Sequence, residues 1–171
     1  MALTLAGAEL RTFKAILQRG VALRVVPRSV LGFLVQDVGL TPEYVRQRIT
    51  TVFLDGQVVD VLEDAILRPG SRLALSAAMP GLVGATLRRS GPYAAMRAEI
   101  TRASEHEVRT RSAGTAVIHV KLFNLLLDEI GPLLLDRGVL LEREAVIALG
   151  LAVQGAPAGP HDLLEVRVPL R

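Results

Sequence analysis

The most legible pattern runs from Thr51 to Ala85, where short apolar segments are separated by tight turns and closed by small apolar residues and glycines. Val52 and Leu54 flank Phe53 in a strand, Asp55-Gly56 forms a tight hairpin turn, and Val58-Val59 begins the return. Leu62, Ile66 and Leu67 anchor a connector, and Arg68-Pro69-Gly70-Ser71 turns the chain into a third strand, where Leu73 and Leu75 alternate with Arg72, Ala74 and Ser76. Upstream, Leu10, Phe13, Ile16 and Leu17 recur at helical spacing and Gly20 stops the helix. Val21 to Val26 is β-branched and predicts a strand. Pro27 suits the first turn of a second helix, with Val30, Leu31, Leu34 and Val35 on one face and Gly39 at its end. Thr41-Pro42-Glu43 opens a third, short helix ending near Ile49, with a threonine cap, an N-terminal proline and an acid in the first turn.

The downstream pattern is more mixed. Met79-Pro80-Gly81 breaks the third strand, and Ser90-Gly91-Pro92 is the predicted boundary. Tyr93 to Thr101 reads as helix. Glu107 to Arg111 and Thr115 to Leu122 read as strands joined through Ser112-Ala113-Gly114, the second belonging to AVIHVKLF. Leu125 to Leu135 predicts a helix split at Gly131-Pro132 and stopped by Gly138. Val139 to Val153 is compatible with helix or strand, Gln154 to Pro160 is a loop, and Leu163 to Leu170 alternates as a terminal strand. The class is α+β, with units at 1–90 and 91–171 packed together or continuous.

Composition narrows the function classes. Half of the 171 residues are hydrophobic but 4% are aromatic, and tryptophan is absent. Single-stranded nucleic acid and carbohydrate, which bind through stacking surfaces, are therefore disfavoured. Zero cysteines exclude disulfides, thiolate metal sites and cysteine nucleophiles. No apolar run reaches the roughly 18 residues of a membrane span. Met1-Ala-Leu-Thr lacks a basic signal-peptide start, so the expected location is cytoplasmic. The mean hydropathy of +0.39 is high and points to buried helices or an oligomeric interface. Six arginines (88, 89, 97, 102, 109, 111) stand against three glutamates between Thr86 and Arg111, a local +3 that equals the charge of the whole chain.

From Val21 to Ala85 the order of strand, helix, short helix, strand, DG turn and strand resembles the β-grasp fold of the small ubiquitin-like sulfur carriers of molybdopterin and thiazole synthesis. VFLDGQVVD stands for the family's Asn-Gly-containing strand pair, ILRPGSRLAL for its Gly-Asp strand, and PGLVGA for its terminal glycines. The fold this implies is a β-grasp-like N-terminal half with a second small α+β half packed against it. The carriers end in Gly-Gly, whose carboxylate is adenylated and thiolated, whereas Gly81 and Gly84 are separated and internal. The same segment also looks like a small ribosomal-type RNA-binding module, which nominates Arg46 and Arg48 as phosphate contacts. These two arginines point to different sides of a helix, and Glu43 dilutes the patch.

Catalytic signatures are lacking: there is no nucleophile elbow, P-loop or dinucleotide fingerprint. Glu105-His106-Glu107 offers two metal ligands per strand face at most, too few for a site. His119 sits inside a strand, His161 follows a loop proline, and Asp128-Glu129 diverge by about 100° on a helix. GLVGATLRRSG is glycine-rich, and its amides with Arg88 and Arg89 form a candidate anion site. The expected function is accordingly non-enzymatic binding, through a protein partner, a second copy or a small anionic ligand, with neither cofactor nor metal. The candidate ligand residues are Gly81, Gly84, Arg88, Arg89 and His119. The rival is an enzyme subunit holding an anionic substrate near Arg88, Arg89 and His119.

Overall fold

A computed structural model describes residues 2–4, 10–77, 81–89, 91–93, 101, 114–149 and 163–169. Its strands are β1 (Ala2–Thr4), β2 (Val21–Val25), β3 (Thr51–Leu54), β4 (Gln57–Val58), β5 (Arg72–Ser76), β6 (Ala116–Phe123), β7 (Val139–Glu142) and β8 (Leu163–Arg167). Its helices are α1 (Leu10–Arg19), α2 (Val30–Gly32, continuing as a π turn over Phe33–Asp37), α3 (Pro42–Arg48), α4 (Gly81–Leu87), α5 (Leu126–Glu129), α6 (Gly131–Arg137) and α7 (Arg143–Ala148). The fold is α+β.

All eight strands join one mixed sheet in the order β1-β8-β7-β2-β6-β5-β3-β4. β6, from the second half of the chain, lies antiparallel to β2 and parallel to β5, both from the first half. The two halves on either side of Ser90-Gly91-Pro92 therefore share one sheet. β6 is suited to this central place because AVIHVKLF alternates strictly: Ala116, Ile118, Val120 and Leu122 are buried, while His119, Lys121 and Phe123 are exposed.

One core joins that buried face to the helices. Phe13 and Leu17 from α1, Val30, Phe33 and Leu34 from α2, Val45 from α3 and Leu134 from α6 pack with Leu23, Val52, Leu54, Leu73, Leu75 and Ile118. With few aromatics, the core is filled by branched aliphatic side chains. Deleting one of the fully buried leucines costs about 2–5 kcal/mol.

Local chemistry sets most boundaries where the sequence predicts them. The Thr41 hydroxyl accepts the Tyr44 N–H at 3.1 Å and caps α3. Asp55 (φ 54°) and Gly56 (φ 86°) form a hairpin turn with two left-handed residues. The stretch from Val139 divides: β7 runs to Glu142 and α7 starts at Arg143.

Two expectations are corrected. α2 begins at Val30 rather than at Pro27, because the Ser29 hydroxyl accepts the Gly32 N–H at 3.1 Å and caps it there. The π turn, closed by Val38 N–H to Phe33 O at 3.1 Å, shifts the helix phase. Phe33 thereby enters the core beside Val30 and Leu34, while Leu31 and Val35 stay half-buried. Gly81, expected in the Met79-Pro80-Gly81 break, instead opens α4 with φ 75°. Most of the predicted helix from Tyr93, the strand over 107–111, the Ser112-Ala113 turn and the loop over 154–160 lie outside the described residues.

Glycine positions give a graded test. A methyl group added at Gly56 meets open space, so Gly56→Ala brings only left-handed strain, about 1–2 kcal/mol. At Gly138 (φ 109°) an added Cβ stands 3.0 Å from Glu165 Oε1 and 3.1 Å from Arg167 side-chain atoms. Gly138→Ala is expected to lower the denaturant midpoint further than Gly56→Ala. Equal effects would show that the α6–β7 corner relaxes freely.

Candidate functional site

The turn before β5 is fastened on two sides. Gly70 N–H donates to Val117 O at 2.8 Å and His119 N–H donates to Ser71 O at 2.8 Å, which locks the turn to β6. On the other side, Arg72 N–H donates to Asp55 Oδ1 at 2.7 Å and Asp55 N–H donates to Arg72 O at 2.9 Å. The hairpin tip, the start of β5 and the middle of β6 are thus held by hydrogen bonds between neighbouring segments.

The register then aligns side chains in rows across the strands. Arg72 is paired with His119, and Ala74 with Lys121. Phe53 on β3 is paired with Ala74, extending the second row. Arg72, His119 and Lys121 project from the exposed side, away from the aliphatic core. With Arg19 and Gly20 at the end of α1 and Gly56 at the hairpin tip, these residues line an open cleft of about 430 Å³.

The charges of its lining are of one sign, with the Asp55 carboxylate beside it and held by the Arg72 N–H. Among the described residues of the lining, Arg19, Arg72 and Lys121 supply three cations, His119 adds an imidazole, and there is no carboxylate. None of the three cations is within ion-pair distance of a carboxylate among the described residues. Lys121 Nζ also lies 5.1 Å from the Phe123 ring centroid, a cation–π contact that leaves its hydrogens available. Like charges gathered without counter-charges raise the local potential, so an anion entering the cleft lowers the energy of the free protein.

The residues nominated from sequence are distributed differently. His119 lines the cleft, whereas Gly81, Gly84, Arg88 and Arg89 do not. Gly84 is buried within α4. Arg89 turns inward: its Nε and Nη2 donate to Ile49 O at 3.1 and 2.7 Å, and Nη2 donates to Val45 O at 3.0 Å. Those carbonyls end α3, so the guanidinium caps that helix, a favourable place for a cation. Burial lowers the Arg89 pKa from its ordinary value, and Glu63 and Asp60 oppose the shift. His106, Glu105, Glu107 and His161 lie outside the described residues, as do Arg97, Arg102, Arg109 and Arg111.

The acids Asp128 and Glu129 diverge and serve as struts. Asp128 accepts Lys14 Nζ at 2.9 Å, joining α1 to α5. Glu129 accepts hydrogen bonds from the Tyr44 hydroxyl and the Arg48 guanidinium, joining α3 to α5. Arg48 is therefore engaged by a carboxylate, while Arg46 is exposed on the same helix. Hydrogen bonds from Arg48 and Tyr44 hold the Glu129 carboxyl below the usual range. Burial, followed by the bond to Glu129, pushes the Tyr44 hydroxyl up.

The chain matches no family model, no curated protein and no solved structure. The site is therefore described by its own geometry. Sequence reasoning does not single out Arg19, Arg72 and Lys121, since they are distant in the chain and each looks like an ordinary surface cation. The alternation in RLALS and in AVIHVKLF marks their faces, but the β5–β6 pairing that unites them has no local signature. Among the described residues no three His, Asp or Glu side chains are grouped to hold a metal ion, and no helix is long and apolar enough to cross a membrane. α4 also presents two large apolar residues to solvent, Leu82 (68% exposed) and Val83 (66%).

The Glu129 strut has a pH signature. A carboxyl whose folded pKa is depressed stabilises the fold above its unfolded value, near 4.5, and that contribution is lost as pH falls through the folded value. Wild type is expected to exceed Glu129→Gln in urea stability at neutral pH, with the gap closing in acid. A gap independent of pH would contradict the strut's ionic character.

Proposed function

We propose that this chain is a non-catalytic binding protein on a β-grasp-like scaffold, and that the cleft between β5, β6 and the β3–β4 tip takes an anionic ligand. The scaffold reading is supported by the order β2, α2, α3, hairpin, β5, with α2 and α3 packing into the same core as those strands. The carrier chemistry of the resembling family is left aside, because Gly84 is enclosed in a helix.

The observation that carries the ligand class is the gathering of Arg19, Arg72 and Lys121 beside His119, with no carboxylate among the described residues of the lining. Structural cations of this protein look different: Arg89 bonds carbonyls, and Lys14 and Arg48 pair with carboxylates. The cleft cations have no such partner among the described residues, which supports an anion arriving from solution. A volume of about 430 Å³ falls within the roughly 300–1,000 Å³ of small-ligand sites.

The non-catalytic reading is supported by the lining, where among the described residues no hydroxyl or carboxylate stands beside His119 as nucleophile or partner base.

Titration calorimetry with inorganic pyrophosphate checks the proposal. Wild type is expected to bind, with affinity falling as salt is raised. An Arg72→Ala, Lys121→Ala double variant is expected to lose about tenfold or more while keeping the wild-type denaturation midpoint within experimental scatter. Undiminished binding by the double variant would sink the assignment to this cleft.

A further inference from the structure

The cleft is more than a positive patch, because its floor has a fixed pattern. Row one across the strands carries Arg72 and His119. Row two carries Lys121, Ala74 and Phe53 in that order. Successive same-face residues on a strand are about 6.6 Å apart, so the two rows present cationic side chains at separated points along the strands. A lone carboxylate engages one row. An anion with two linked charged groups engages both.

The second row also holds a feature that simple anions do not use. Ala74 stands between Lys121 and Phe53, and its methyl group leaves a low point in the floor with the Phe53 ring on one side. Phe53 is half-buried and lines the cleft. Phe53 therefore offers apolar ring surface within one strand spacing of Ala74, and the cations begin one strand further on. Neighbouring strands are about 4.8 Å apart, so the ring and Lys121 are separated by about two spacings, close to 10 Å. This is the reach of a ligand with a planar group at one end and phosphates at the other.

Resting on the binding role proposed above, we infer that the ligand is a small molecule combining a planar aromatic ring with at least two linked phosphates, a nucleoside diphosphate in chemical class. The ring lies over Ala74 against Phe53, and the phosphates are held by Lys121, Arg72 and His119, with Arg19 closing the α1 end. Arginine and lysine suit this task because they donate several hydrogen bonds to phosphate oxygens while neutralising them. A single-stranded nucleic acid fits less well. Such chains are bound along successive aromatic platforms, and among the described residues of this lining Phe53 is the one phenylalanine, tyrosine or tryptophan.

The test compares binding of the full chain to inorganic pyrophosphate, to a nucleoside diphosphate and to a short single-stranded oligonucleotide, by calorimetry at one salt concentration. The nucleoside diphosphate is expected to bind on the order of tenfold tighter than pyrophosphate, the size of one stacked ring. Phe53→Leu, which keeps apolar volume and removes the ring face, is expected to bring the nucleoside diphosphate down to the affinity that the same variant shows for pyrophosphate. Arg72→Ala is expected to weaken both. Equal affinities for the two phosphates, or an advantage that survives Phe53→Leu, would overturn the ring site while leaving the anion cleft standing. Failure of both phosphates to bind would overturn the cleft itself. An oligonucleotide that binds far more tightly than the diphosphate would replace the small ligand with a polymeric one.

Discussion

The parallel pairing of β5 with β6 is the constraint on which the remaining structure depends. β6 is hydrogen-bonded to β5 on one side and to β2 on the other, so it joins the hairpin region to β2, β7, β8 and β1 in a single sheet. Parallel strands cannot be joined by a tight turn, and here a long crossover separates Ser76 from Ala116. Burial stabilises the pairing: Leu73 and Leu75 on β5 meet Ile118, Val120 and Leu122 on β6 in one aliphatic layer. On the other face, the same register sets Arg72 beside His119 and Ala74 beside Lys121. Core and cleft are consequently two sides of one pairing.

The helices above that core are tied by polar contacts whose worth is mainly positional. Lys14 with Asp128, and Tyr44 and Arg48 with Glu129, link α1 and α3 to α5 at the surface. Exposed pairs of this kind contribute little to stability because water screens them. They fix how α5 sits against its neighbours, while buried Leu, Val and Ile side chains supply most of the stability. Arg89 differs because it enters the protein to satisfy carbonyls that α3 leaves unpaired. It pins the segment after α4 to the end of α3.

Features written in short stretches are legible in the sequence. The Asp55-Gly56 turn, the Thr41 cap, the stops at Gly20 and Gly138, and the alternation in AVIHVKLF all depend on residues within a few positions of one another. Features that depend on distant pairing are not. The phase shift in α2 comes from a π turn that brings Phe33 inward, and periodicity at 3.6 residues does not anticipate it. The cationic segment beginning at Arg88 stands out because its first two arginines are consecutive, yet Arg89 serves as a helix cap. The cleft cations come from α1, β5 and β6, and no local run announces them. His119 is a candidate from sequence by its place in a strand, and the structure gives it Arg72 as its neighbour.

Amide chemical-shift mapping with pyrophosphate tests the central claim most directly, because it reports where an anion sits without presupposing any variant. Saturable shifts are predicted to concentrate at Gly20, Gly56, Arg72, His119 and Lys121. Shifts concentrated instead at Gly81, Gly84, Arg88 and Arg89, or spread evenly over surface arginines, would contradict the account.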